Sequence, residues 1–230
     1  MSAVLLFDPV TPPADLLEAT RDERIQSLGE EIANAVSHGV GLVAVLASTP
    51  FLLAAAWSHR SIPSVLGATL FAGSAALLYL ASTLYHAAPA QRKPFFRMLD
   101  HLAIFFLIAG TYTPLALGPL KGSFGWTIFT VVWSLALVGV LFKIFARFRF
   151  PYVSTAMYIG MGWLAVFIIR PLATHLPVGG LIWLVAGGLA YTGGVLFYHC
   201  ERMRYSHLIW HLFVLAGTGC HFVAILRYAT

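Results

Sequence analysis

Charge is what this chain has least of: 10% of its 230 residues are Asp, Glu, Lys or Arg, against roughly a quarter in soluble domains. With 59% hydrophobic residues and a mean hydropathy of +0.82, the composition excludes a water-soluble globule. Cysteine is nearly absent too. Cys200 and Cys220 are too few for a disulfide framework and lack the paired spacing of a zinc module. Acids are scarce after residue 31, where Asp100 and Glu201 stand alone. A net charge of +5 and a pI near 9.4 would suit a nucleic-acid partner, but the placement of the bases argues against one.

Marking every charged residue leaves seven long uncharged intervals: 32–59, 61–91, 101–120, 122–142, 150–169, 171–200 and 205–226. A helix needs about 20 apolar residues to cross a hydrocarbon core of roughly 30 Å, and each interval is that long. Barrel strands would be about half the length and would alternate polar with apolar residues. The expected fold is therefore an all-α membrane protein, a bundle of seven transmembrane helices spanning 32–230. Residues 1–31 form a separate acidic tail, with seven acids against Arg21 and Arg24. Val4 to Phe7 is too short an apolar core for a signal peptide. Pro9, Pro12 and Pro13 predict an irregular start, and 14–29 either a short surface helix or a disordered leader.

Bases in short loops set orientation. The connections after the second, fourth and sixth intervals carry Arg92, Lys93, Arg97, Lys143, Arg147, Arg149, Arg202 and Arg204; those after the first, third and fifth carry Arg60, Lys121 and Arg170. The amino terminus is thus expected in the cytoplasm, the carboxyl terminus outside, and the chain in the plasma (inner) membrane as a multi-pass protein. The basic excess faces anionic headgroups, which makes membrane lipids the expected partners and nucleic acid not one.

Ionisable groups inside membrane segments are costly and point to function. His86 closes the second helix, while His207 and His211 open the seventh, all at the cytoplasmic level. The i, i+4 spacing of His207 and His211 puts both imidazoles on one helix face, suited to a single zinc ion with His86 as third ligand. Three protein ligands leave a coordination position open, as catalytic zinc requires. The plainer alternative is that helix-end histidines rest in the interfacial zone. Asp100 starts the third helix on the same side and needs a partner there. Ser82, one turn before His86, is placed to reach it. Glu201, beside Arg202 and Arg204, reads as a solvated loop charge. His221, ten residues past His211, lies about 15 Å deeper and reads as a buried, hydrogen-bonded histidine or a support of the site.

The segments Glu31-Ile-Ala-Asn34-Ala-Val-Ser-His38-Gly, Ser82-Thr-Leu-Tyr-His86, Leu99-Asp100-His101, Ala109-Gly-Thr-Tyr-Thr-Pro114 and His207-Leu-Ile-Trp-His211 with His221-Phe222 together resemble the hemolysin III family. They run in order over residues 31–225, nearly the whole chain. That family stands within the progestin and adiponectin receptor superfamily of seven-helix membrane proteins. The resemblance implies zinc as cofactor, His86, His207 and His211 as its ligands, Asp100 as the acid near the metal, and Ser82 as the accompanying hydroxyl. Similarity to alkaline ceramidases extends the implication to membrane hydrolases of lipid amides. The connection of 13 residues between His86 and Asp100 and the missing longer receptor tail depart from the pattern, and bear on ligand recognition. Glu31, Asn34 and His38 recur at helical spacing, either supporting the site or anchoring the first helix. Gly110 to Pro114 suggests a kink. Ala186, Ala190 and Gly194 make steps of small residues for close packing, and Trp57, Trp126 and Trp183 fit interfacial belts.

The leading expectation is a zinc-dependent hydrolase of a lipid amide or ester, with Asp100 and Ser82 as catalytic residues and a lipid as substrate or ligand. A channel-forming or cytolytic protein, and a receptor or sensor with structural zinc, are the alternatives; a second copy of the chain is a further candidate partner. The charge pattern predicts that alkaline phosphatase fused after residue 230 is active, as it is only outside the cytoplasm. A reporter fluorescent only in the cytoplasm that lights up there would reverse the topology.

Overall fold

The computed structural model describes residues 26–58, 61–200 and 202–229. The expectations for the start of the tail and for Glu201, together with Arg60, lie outside those residues. The described chain forms seven helices long and apolar enough to span a membrane: α1 (Leu28–Ser58), α2 (Ile62–Ala87), α3 (Lys93–Leu117), α4 (Ser123–Ala146), α5 (Pro151–His175), α6 (Val178–Tyr198) and α7 (Ser206–Tyr228). Each overlaps one uncharged interval. Short connections between them make consecutive helices antiparallel, so α1, α3, α5 and α7 start at one end of the bundle, hereafter its amino-terminal end.

Local chemistry sets the starts. Ser27 and Glu30 form a reciprocal cap on α1: Ser27 N donates to Glu30 Oε2 at 2.9 Å, and Glu30 N donates to Ser27 Oγ at 3.4 Å. Ser61 caps α2 by accepting from Ser64 N, and Pro151 opens α5, where no backbone donor is needed. Glu30 and Glu31, which the charge pattern groups with the acidic tail, therefore belong to the first turn of α1. Glu30 Oε1 also accepts from Tyr205 N at 2.9 Å, tying the start of α1 to the residue before α7.

Five helices (α1, α3, α4, α5 and α7) outrun their uncharged intervals, α3 by the most. α3 starts at Lys93, so Asp100 lies two turns inside it, and the actual connection from α2 is residues 88–92. Backbone hydrogen bonding is indifferent to side-chain charge, and long basic side chains on the terminal turns reach the headgroups. Lys143 departs further from its expected place in a loop. It sits inside α4, fully buried, its ammonium donating to Ser154 Oγ at 3.4 Å and lying 4.6 Å over the Phe148 ring.

α3 is the central helix: 67% of its membrane window is buried, against 17% in α1 and in α6. It packs most closely on α2, where Gly110 lies against Ser74 and the Leu70 carbonyl, a contact with no room for a Cβ. α3 continues through Pro114 without a break. α1 lies across α2 and α7, and α6 packs along α7, with Gly194 seated against Trp210 and Phe213. α5 makes thin contacts with all its neighbours. It is interrupted by a 3-10 stretch, Leu164–Ile168, just after carbonyls that Tyr112 satisfies from α3; the hydroxyl donates to Met161 O and Gly162 O at 3.0 and 2.6 Å. Large apolar side chains such as Phe51, Phe145 and Phe167 point outward, as lipid contact requires. Trp57, Trp126 and Trp183 are likewise exposed near helix ends.

Candidate metal centre

His86 is the penultimate residue of α2, and His207 and His211 occupy the first two turns of α7. The start of α7 is fixed by Tyr205, whose left-handed backbone (φ 61°) is held by the bond to Glu30. The three imidazoles converge: one nitrogen from each lies within 4.8 Å of the others, with ring centres 4.6 to 5.0 Å apart. An ion bound at about 2.1 Å from each nitrogen fits after small side-chain rotations.

The outer nitrogens are tethered. His86 Nδ1 donates to Glu31 Oε2 at 2.8 Å, and Glu31 Oε1 accepts from Lys93 Nζ at 2.8 Å. His211 Nδ1 donates to the Asn34 carbonyl at 3.3 Å and to Ser37 Oγ at 3.0 Å. Ser37 sends its own proton to the same carbonyl, so its lone pair faces His211. Holding both rings by Nδ1 turns Nε2 inward, the tautomer a metal ligand needs. Nε2 of His86 and Nε2 of His207 are buried with no hydrogen-bond partner among the described residues. Buried polar atoms rarely remain so, and a divalent cation would satisfy them. The donor set therefore fits zinc.

α1 supplies more than one tether. His38 stacks on His211 with ring centres 3.5 Å apart and planes 8° apart, and meets Tyr79 edge-on at 5.0 Å. Glu31 and His38 thus bear on the histidine trio through their side chains, whereas Asn34 does so through its carbonyl alone and its amide donates to Gln26 Oε1 at 2.6 Å. Ser37 and Lys93 were not singled out as site residues. Ser37 is 174 positions from its histidine, and Lys93 had been counted only as a loop base, so no local pattern marks either.

Asp100 is buried on α3 and stays outside the ligand cluster. Ser82, completely buried, faces its carboxylate, although no closed hydrogen bond reaches Ser82 Oγ. Arg97, one turn before Asp100, adds a positive charge nearby. Ser82 and His86 share a face of α2, which sets the hydroxyl on the side of the helix that carries the histidine. His221 is buried and donates from Nδ1 to Gly217 O of its own helix at 2.8 Å, away from the trio.

A cavity of about 330 Å³ opens one turn from this centre, bounded by α3, α5, α6 and α7. Leu78, Ile104 and Val214 line its near end, one turn from Ser82, Asp100 and His211 respectively. Its wall is overwhelmingly apolar.

Comparison with known proteins places these residues in context. The profile of the family described as "Haemolysin-III related" matches residues 26–222. A hemolysin-3 homolog of Bacillus subtilis (strain 168) is 43% identical over 203 residues, covering 88% of this chain and 95% of that protein. Hemolysin-3 of Bacillus cereus is 43% identical over 204 residues, covering 88% and 93%. The human monocyte to macrophage differentiation factor is 27% identical over 213 residues, covering 86% and 84%.

The tether on His86 has a measurable consequence. Glu31→Gln keeps the shape but weakens the acceptor, so metal affinity should fall by about 10- to 100-fold, read by competition against a chelator. Unchanged affinity would separate Glu31 from the metal centre.

Proposed function

The chain belongs to the haemolysin-III-related family, and from that premise we propose that it is a zinc-dependent hydrolase of a lipid amide or ester, embedded in the plasma (inner) membrane with its site on the cytoplasmic side. The observation that carries this reading is the converging histidine trio, two of its rings buried and tethered, set one helical turn from an apolar cavity. A metal held where only lipid-soluble chains have room is suited to chemistry on a lipid head.

When bound, zinc would polarise a carbonyl and lower the pKa of water toward roughly 7. The remaining steps belong to the chain. Asp100 takes the proton of the attacking water on its carboxylate and later delivers it to the leaving amine or alkoxide. Ser82 Oγ donates to that carboxylate or to the developing oxyanion, holding either in place. Glu31 and the Asn34 carbonyl keep His86 and His211 in the tautomer that presents Nε2. The cavity wall binds the acyl chain and excludes water from it. Thin packing of α5 against α6 offers a lateral way in from the bilayer.

The names of the Bacillus relatives favour a cytolytic reading. Ionisable side chains concentrated at one end, with a largely apolar cavity beyond them, favour the hydrolase over a water-filled path. A receptor with structural zinc would share the metal centre and lack turnover.

Purified, metal-loaded protein should release fatty acid from ceramides or a related lipid amide or ester. Asp100→Asn should retain its metal and lose about 10²- to 10⁴-fold in kcat, the usual size of a general acid–base contribution. Full activity in that variant would remove Asp100 from the chemistry. Metal-loaded wild type that turns over no lipid amide or ester would favour the receptor.

A further inference from the structure

The cavity begins one helical turn from the histidine trio and extends along α7. Val214 and His221, two turns apart on one face of that helix, both line it. His221 lies ten residues beyond His211 on an unbroken helix, about 15 Å further along the axis. Its ring is fixed on three sides. Nδ1 donates to Gly217 O at 2.8 Å, the ring plane stacks on Tyr191 with centres 5.5 Å apart and planes 17° apart, and one edge rests on Gly187, which has no Cβ to displace it. With its proton committed at Nδ1, the ring presents a lone pair at Nε2, which has no hydrogen-bond partner among the described residues.

The neighbouring polar groups are already engaged with one another. The hydroxyls of Tyr79 and Tyr191 each meet Thr218 Oγ1 at 2.8 Å, and Thr218 returns its proton to Val214 O. Thr111 and Thr192, further along the wall, bond back to their own helices. An imidazole acceptor held rigidly in an apolar cavity is costly unless something donates to it.

We propose that the cavity takes a lipid chain bearing a hydroxyl about a dozen bonds from its carbonyl, and that this hydroxyl donates to His221 Nε2. The spacing follows from the axial offset: an extended chain advances roughly 1.2 Å per bond, as a polypeptide does at about 3.6 Å per three bonds, so about 15 Å is a dozen bonds. The inference rests on the lipid-hydrolase reading for the position of the carbonyl, at the metal centre. It adds a recognition element distant from the chemistry, which makes His221 a specificity-determining residue.

The test compares 12-hydroxyoctadecanoate with octadecanoate as competitors for a fluorescent fatty acid on the purified, metal-loaded protein in nanodiscs. Wild type should bind the hydroxylated chain about five- to tenfold more tightly, the effect of one net hydrogen bond. His221→Phe should abolish that preference while holding octadecanoate within about twofold, since the ring volume is kept, and His221→Gln, which retains an acceptor, should restore part of it. Equal affinities in wild type would overturn the inference by themselves, whether or not the variants fold, and so would a preference that survives in His221→Phe. If neither chain displaces the probe, the lipid-hydrolase reading falls and takes this inference with it.

Discussion

Three imidazoles converge on one small volume in an arrangement that could hold a metal ion. The rest of the architecture answers that constraint. α2 ends and α7 begins at the same level, so His86, His207 and His211 share one small volume. α1 then commits the outward nitrogens of two rings, through Glu31 for His86 and through the Asn34 carbonyl and Ser37 for His211. Nε2 of His86 and Nε2 of His207 then have no hydrogen-bond partner among the described residues, an arrangement suited to a metal ion.

The membrane explains why the site is built from helix ends. Polar side chains at mid-bilayer depth are expensive, but at a helix terminus they lie near the headgroups while remaining sheltered by neighbouring helices. α3 at the centre carries Asp100 to that level, two turns into the helix. Beyond it the bundle becomes apolar, and the loose packing of α5 leaves a chamber rather than a filled core. Histidine trio and acid thus share one level, and the apolar chamber begins one turn further along the bundle axis.

Much of this was legible in the sequence because membrane helices are written in gaps between charges. The seven intervals found the seven helices, and i, i+4 spacing placed His207 and His211 together. Charge gaps misjudged helix ends, however. Lys93 and Lys143 read as loop bases, yet one begins α3 and pairs with Glu31 while the other is buried in α4 beside Ser154. Helices tolerate a charge that finds a partner, and partners from distant segments leave no local trace. For the same reason Ser37, with its histidine on the last helix, was invisible, whereas Glu31, Asn34 and His38 showed through as a helical repeat. The side-chain contacts of Glu31 and His38 place those two at the site, while Asn34 reaches His211 only through its carbonyl.

The account turns on whether a metal occupies the histidine trio. Anomalous scattering at the zinc edge, from crystals of protein purified without chelator, tests this most directly. It should show one peak per chain between His86, His207 and His211, absent in His207→Ala. No peak at that position, or one at Cys200 or Cys220 instead, would contradict it.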